Sequence, residues 1–531
     1  MRKHNLHADP SMIPATQNAS PGSRGRRFVA NVVWNWTGTA ASLFTAFILS
    51  PILIRKLGPD GYGVWALSFA MADYYWFFDF GFRSATVKYV AHYTATGESN
   101  KVGEVISSSL VYAALVGVTT LAAVALSARQ IVRFFQVAEE FREPFAVVIV
   151  LVAASWCLGL ILGLPAVSLE AVQRFDITNR VSVIATATRA AGQGLLLYLG
   201  FGLIPLAVVT VGSQILGHVL NCLWFRQVFR NVPIGFRHGS RATLQQLGGF
   251  GIHSFMITIS SQFQNQAAPV LIGHFLPAAF AGFYSLPMRL IQYTAEFVGR
   301  IGVVTNTNAA ELSAKGDSRG LAKLPIYTNR YCLVIFMPLA ILFWGYGRQF
   351  FEFWAGPRAA PYCAAVLPIL LAGNLIGVVG QFSSSMLLLG MGRHQRYAQG
   401  MVLEMLLGLA LLAFAIPRYG IVGAAWVTAS LMVANRGLYL SYLASRNIQV
   451  SLPRYLYEVY AGPVLSAIPA LLLVGVLRAT VLPGRSLLQL AAAGVTAALS
   501  VYLVSFFTCF ERDHRVLIYS ALSRLRPAGA K

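Results

Sequence analysis

The chain has 531 residues, 56% of them hydrophobic and only 11% charged, with a mean hydropathy of +0.62, whereas an ordinary soluble domain is about a quarter charged. That composition excludes a soluble globular protein and points to an all-α polytopic membrane protein, since a helix satisfies its own backbone in lipid. The net charge of +22 comes from 41 basic residues spread through many short loops, which speaks against nucleic acid as a partner.

Residues 1–27 are polar, rich in Ser, Pro, Gly and Ala, and read as a cytoplasmic tail. Their end, "SRGRRF", has the charge of a signal-peptide start, but the many apolar runs that follow argue against cleavage. From Phe28 to Phe510 such runs recur, each about 18 to 30 residues and so able to cross a hydrocarbon core of about 30 Å. Fourteen spans are expected, starting near Ala30, Val64, Val105, Ala146, Val181, Pro205, Phe250, Ala281, Tyr331, Ala364, Met401, Gly420, Ala461 and Leu487. With both termini in the cytoplasm, most of the 41 basic residues fall on the inner side, as the positive-inside rule requires.

The second span contains "DYYWFFDF" (73–80), which places Asp73, Tyr74, Tyr75, Trp76 and Asp79 well inside it. The rings can stack on sugar faces or simply pack; the acids can pair with arginines or hold a coupling cation. The fifth span carries Arg189 within "ATATRAAGQG", a small-residue stretch that suits a cavity wall or a tight helix contact. Residues 227–247 then form a cytoplasmic linker. The seventh span, "HSFMITISSQFQNQAAPVLIG", holds the amides Gln262, Gln264, Asn265 and Gln266, which can hydrogen-bond sugar hydroxyls or neighbouring helices.

In the eighth span, "YSLPMRLIQYTAEFVGR" (284–300) sets Arg289, Glu296 and Arg300 at spacings of seven and four. At about 100° per residue these side chains fall within roughly 40° of one another, so they form one stripe. An arginine near the bilayer centre costs about 2.5 to 3.5 kcal/mol on insertion scales, so it marks a cavity or a partner. Arg289 lies roughly 12 Å from the outer end of the span at 1.5 Å per residue, too deep to snorkel easily. Glu296 and Arg300, four apart, can satisfy one another. Arg289 is then the surplus positive charge, and its guanidinium fork suits phosphate or a carboxylate on another helix such as Asp73 or Glu404. Arg436, in the twelfth span, sits close enough to the cytoplasmic end to snorkel.

The last two spans occupy 446–510, and the basic, amphipathic tail 511–531 is expected to lie on the anionic lipids of the inner leaflet. Five scattered cysteines form no C-x-x-C pair, so neither a disulfide framework nor a metal site is indicated. No P-loop, H-E-x-x-H or nucleophile elbow occurs. Hence no cofactor and no catalytic residue is expected.

An internal repeat organises the spans. "SPILIRKLGPDGYGVWAL" (50–67) aligns with "APVLIGHFLPAAFAGFYSL" (268–286), Pro51 on Pro269 at an offset of 218 and, one inserted residue later, Gly63 on Gly282 at 219. "ATGESNKV" (95–102) meets "AKGDSRGL" (314–321) with Gly97 on Gly316, and "QRF" (173–175) meets "GRH" (392–394), both at 219. The offset covers six spans, an even number, so both copies share one orientation. This predicts two parallel-repeat six-helix lobes, 28–226 and 248–445, around a central cavity, with two additional C-terminal helices.

"RKLGPDGYGVWAL", "GFYSLPMRL", "AAELSAKGD" and "GMGRHQRYAQ" followed by "IPRYGIVGAAWVTAS" together resemble the polysaccharide-biosynthesis membrane proteins, the O-antigen-type flippases of the multidrug, oligosaccharidyl-lipid and polysaccharide exporter superfamily. The resemblance runs from about residue 28 to about 445 in matching order. It implies a flippase of the bacterial inner membrane that moves undecaprenyl-diphosphate-linked oligosaccharides by alternating access through a cationic central cavity, as a monomer, in contact with anionic lipids and with polysaccharide polymerase and export machinery. Relatives often carry an acid in the seventh span where this chain has amides. A cation-coupled multidrug exporter of the same superfamily would instead need an acid-rich site. A membrane glycosyltransferase or polymerase would need carboxylates or a catalytic loop outside the membrane, and the longest outer loop, about Arg129 to Glu143, is short for one.

Overall fold

The computed structural model describes residues 21–230, 232–484, 486–511 and 515–516, with the backbone alone at 21–43, 76–77, 249–265, 297, 300, 303–304 and 307. The described residues contain no strand. The helices are α1 (Pro21–Tyr74), α2 (Phe82–Ala95), α3 (Ser99–Phe134), α4 (Glu139–Leu162), α5 (Leu164–Ala171), α6 (Phe175–Tyr198), α7 (Leu203–Val228) and α8 (Arg241–Phe275), followed by α9 (Ala278–Lys315), α10 (Ser318–Trp354), α11 (Ala360–Val378), α12 (Ser385–Gly390), α13 (Gln395–Leu431), α14 (Leu440–Asn447), α15 (Leu452–Thr480) and α16 (Leu487–Thr508). Each expected span starts inside one of them. By length and composition, eight helices among the described residues can cross a membrane.

Two of the longest elements each join two expected spans through a glycine with non-helical backbone angles. In α1 this is Gly58 (φ 74°, ψ 171°), directly before Pro59; in α13 it is Gly420 (φ 60°, ψ −149°). The second span is not continuous. α1 stops at Tyr74, Tyr75–Asp79 forms a 3-10 turn, and Phe80 and Gly81 adopt φ of 44° and 75° before α2 begins. "DYYWFFDF" therefore does not lie well inside one helix: Tyr74 ends α1, while Tyr75, Trp76 and Asp79 belong to the break. The Asp79 carboxylate accepts from the backbone N–H groups of Gly81 and Arg83, satisfying donors that the start of α2 leaves without an intrahelical partner.

The repeat is visible in the backbone. Gly97 and Gly316, aligned in sequence, both have left-handed φ, at 75° and 69°. Each ends its helix with the same long return bond: Glu98 N–H to Tyr93 O at 2.9 Å, and Asp317 N–H to Leu312 O at 3.0 Å. Gln173 (φ 59°) and its counterpart Gly392 (φ 69°) repeat the pattern, with Arg174 N–H to Leu169 O at 2.9 Å and Arg393 N–H to Leu388 O at 2.8 Å. Every one of these donors and acceptors is displaced by 219. Such Schellman closures capture the last carbonyls of a helix, so two copies that stop at equivalent residues stop for the same physical reason.

The chain divides into two compact units. The first comprises the described residues up to Leu49, Tyr75–Gln130 and Pro144–Phe255. Its core joins α2, α3, α5, α6, α7 and the start of α8 through Phe82, Ile106, Leu169, Val181, Phe225 and Leu247. The linker region is stitched onto the start of α3: Gly235 N–H donates to Ser107 Oγ at 3.2 Å, Ser240 N–H to Ser108 Oγ at 3.0 Å, and Thr243 Oγ1 to Glu104 Oε1 at 2.6 Å.

The second unit comprises Ser50–Tyr74, Ile131–Glu143 and Met256–Lys531. Within it the two aligned segments cross. A Cβ on Gly63 would collide with the Ala278 carbonyl oxygen, and one on Gly282 would stand 3.3 Å from the Gly63 Cα. Small residues permit this approach of backbones, which in lipid gains van der Waals energy without help from a hydrophobic driving force. Residues equivalent in the repeat thus touch one another. Nearby, Gln136 N–H donates to Gly273 O at 2.9 Å and Ala278 N–H to Gln136 O at 3.1 Å, tying 131–143 to the α8–α9 junction.

The two added helices α15 and α16 pack on α10, with Ala467, Ala470, Ala493 and Ala497 allowing close contact with Ile341 and Tyr346. The Tyr455 hydroxyl on α15 accepts from Asn329 Nδ2 at 2.8 Å and lies 3.0 Å from Ser384 Oγ. Such interhelical bonds contribute about 0.6 kcal/mol each on average, so several are needed to hold a helix in place.

Candidate functional site

The eighth-span stripe lies on α9. Gln292 and Glu296 line a cavity of about 350 Å3 in the second unit, and Arg289, one turn earlier, falls on the same face at the i, i+3, i+7 spacing. The opposite walls come from α11 (Asn374), α13 (Glu404, Thr428), and two π-helical segments, Val379–Ser384 and Met432–Tyr439, which supply Gln381, Phe382 and Arg436. π-Helical turns are rare and concentrate at functional sites. These two touch: a Cβ on Gly380 would overlap the Arg436 carbonyl oxygen.

Arg436 does not snorkel. It is 5% exposed, and its Nε lies 3.7 Å from Glu404 Oε1, while the other Glu404 oxygen accepts from Asn435 Nδ2. The extra residue of the π segment turns this guanidinium inward, where a buried carboxylate compensates it. Removing one partner of such a pair leaves an uncompensated buried charge, a cost of about 3 to 5 kcal/mol.

Arg289 is half-buried and within electrostatic reach of Asp73 and Tyr62. Among the described residues no carboxylate lies within ion-pairing distance of it: Asp73 accepts from Gln266 Nε2 at 2.5 Å, and Glu404 is engaged by Arg436. The ionisable groups on the cavity wall, in contrast, are two carboxylates, Glu296 and Glu404, and one guanidinium, Arg436. Like charges 4 Å apart repel by about 4 kcal/mol at an effective dielectric of about 20. A phosphate is therefore better accommodated beside Arg289 than in the cavity.

A family model described as polysaccharide biosynthesis protein matches residues 52–358, more than half of the chain. The chain belongs to this family. A Shigella flexneri protein described as "Putative O-antigen transporter" is 22% identical over 427 residues, covering 80% of this chain and 99% of that protein. The "Uncharacterized membrane protein EpsK" of Bacillus subtilis (strain 168) is 21% identical over 364 residues, 66% of this chain and 69% of that one. Among solved structures, the lipid II flippase MurJ in an inward closed conformation matches with a TM-score of 0.72 at 12% identity, covering 92% of this chain and 100% of that one. An inward-facing multidrug resistance MATE family transporter of the MOP superfamily matches with a TM-score of 0.60 at 14% identity, covering 77% and 96%. The fold of this polysaccharide biosynthesis protein is thus the MOP transporter fold.

The remaining sequence candidates are dispersed. Arg189 is half-buried on α6 of the first unit, and Asp79 sits at the helix break. Tyr74 is half-buried, while Tyr75 is buried with its ring 5.8 Å from that of Trp156. The side chains of Gln262, Gln264 and Asn265 on α8, Trp76 at the break and Arg300 on α9 lie outside the described residues, as does the 517–531 part of the basic tail.

Sequence reading missed the polar cluster of the first unit. Arg83 Nη2 donates to both Glu170 oxygens at 3.2 Å, and Arg83 lies within electrostatic reach of His218. The signal was a charge following a broken apolar run, "FDFGFR". It also missed Gln292, Asn374, Gln381 and Thr428, ordinary polar residues whose grouping has no signature in spacing.

Proposed function

We propose that this member of the polysaccharide biosynthesis family is a flippase that moves undecaprenyl-diphosphate-linked oligosaccharide repeat units across the bacterial cytoplasmic membrane, from the inner to the outer face. The observation that carries the reading is Arg289, a half-buried arginine on a membrane helix beside a polar cavity, in a chain whose family and fold are those described above. A guanidinium held at that depth, outside ion-pairing distance of any described carboxylate, offers a forked site for a diphosphate. The greasy tail of such a substrate can stay in lipid, while its headgroup needs a polar passage. Both termini are placed in the cytoplasm by the distribution of basic residues. The repeat supports two lobes, 28–226 and 248–445, that alternate access to the two sides. Anionic inner-leaflet lipids and the polymerase and export machinery that would receive the product are the partners this reading implies.

The test is transport of a fluorescent undecaprenyl-diphosphate-linked oligosaccharide in liposomes containing the purified chain. Arg289→Ala is expected to slow flipping about 10- to 100-fold, the equivalent of one charge-assisted hydrogen-bonding site, and Arg289→Lys to retain part of the rate. Native-rate flipping by a folded Arg289→Ala variant would reduce this arginine to a structural charge. No flipping by the native chain, in an assay validated on a relative, would favour a cation-coupled exporter.

A further inference from the structure

We infer that the 350 Å3 cavity of the second unit binds the neutral sugar part of the substrate, while the diphosphate is held apart, beside Arg289. This rests on the transport reading above and divides the site into two chemistries.

The wall itself argues for a neutral ligand. The Arg436 guanidinium faces Glu404, and Glu296 adds a second carboxylate, so an anion entering the cavity meets acceptors that repel it. A metal cation or sodium is disfavoured in turn. Both Glu404 oxygens already have donors, one from Asn435 and one from Arg436, and Arg436 brings positive charge to the place where the ion would bind. Among the described residues no group of three or more His, Cys, Asp and Glu is arranged to hold a metal.

What remains suits a polyhydroxyl. Gln292, Asn374 and Gln381 present amides, which both donate and accept, and Glu296 presents an acceptor-only carboxylate. The ring of Phe382 and the apolar stems of Met288 and Leu409 complete the wall, offering surface for the C–H face of a sugar ring. The volume lies at the lower end of the range of about 300 to 1,000 Å3 for small-molecule sites. It therefore takes a small part of an oligosaccharide rather than the whole. α9 connects the two chemistries, with Arg289 about 4.5 Å along the helix axis from Gln292 at 1.5 Å per residue.

The test is competition in the liposome flipping assay by two unlabelled lipids, undecaprenyl diphosphate alone and the same lipid carrying a neutral trisaccharide. The native chain is expected to prefer the sugar-bearing competitor. The double variant Gln292→Ala with Gln381→Ala should lose about tenfold of that preference, and Gln381→Asn, which keeps an amide but shortens its reach, should lose less. Arg289→Ala should weaken both competitors alike. The inference is overturned if the native chain does not discriminate, if the double variant weakens both lipids equally, or if it alters sodium dependence while keeping the preference. Failure of both lipids to compete on the native chain would instead remove the transport reading.

Discussion

The two units each contain an arginine–carboxylate pair, and the pairs differ in almost every physical respect. Arg83–Glu170 of the first unit is fork-like, at 3.2 Å to both oxygens, with side chains 43% and 28% exposed. Arg436–Glu404 of the second is longer, at 3.7 Å, but 7% and 4% exposed and supported by Asn435. Exposed pairs are worth about 0 to 1 kcal/mol because solvent screens them and side-chain ordering opposes them. Buried pairs add little beyond a well-packed apolar core, yet are costly to break. The lesson is that the duplication copied the backbone and not the charges. Helix stops recur at a constant offset, whereas neither pair has a counterpart in the other copy: positions 302 and 389 are Gly302 and Leu389, and positions 217 and 185 are Gly217 and Ala185.

The contrast can be broken most sharply at the buried pair. Arg436→Ala should destabilise the protein by about 3 to 5 kcal/mol, and the double variant Arg436→Met with Glu404→Leu should recover most of it. Thermal unfolding in detergent, read as a double-mutant cycle, measures both; equal losses in single and double variants would show that the pair is not the source. Next come the repeated helix stops. Gly97→Ala and Gly316→Ala should each cost about 1 kcal/mol, because a side chain disfavours the left-handed backbone, and the two losses should agree within experimental scatter. Unequal losses would mean that the copies differ in more than charge. The smallest effect is expected at Arg83→Ala, about 0 to 1 kcal/mol and shrinking with added salt. A salt-independent loss above that range would place the first pair in the same class as the second.

Several features were legible from residues alone. The apolar runs marked every helix, since a membrane span needs both length and hydrophobicity. The pairs Gly97/Gly316 and Gln173/Gly392 marked equivalent helix ends before any coordinate. The stripe Arg289–Glu296 marked the face of α9 that borders the cavity, because helical period is a local property. The break at 75–81 was not read, because aromatic composition masked the Asp-Phe-Gly turn in an apolar stretch. Nor was the inward turn of Arg436, which position along the helix alone would have sent to the interface.

Class, span positions, repeat and charged stripe were therefore determined by the sequence itself, since each depends on composition or on periodicity within a helix or a few turns. The pairing of Arg436 with Glu404, the meeting of Gly63 with Gly282, and the grouping of Gln292, Asn374 and Gln381 around one cavity were decided only by tertiary structure. These residues lie 32, 219 and up to 89 positions apart, and a contact across such separation depends on how helices cross and where a π turn rotates a face, which no local pattern encodes.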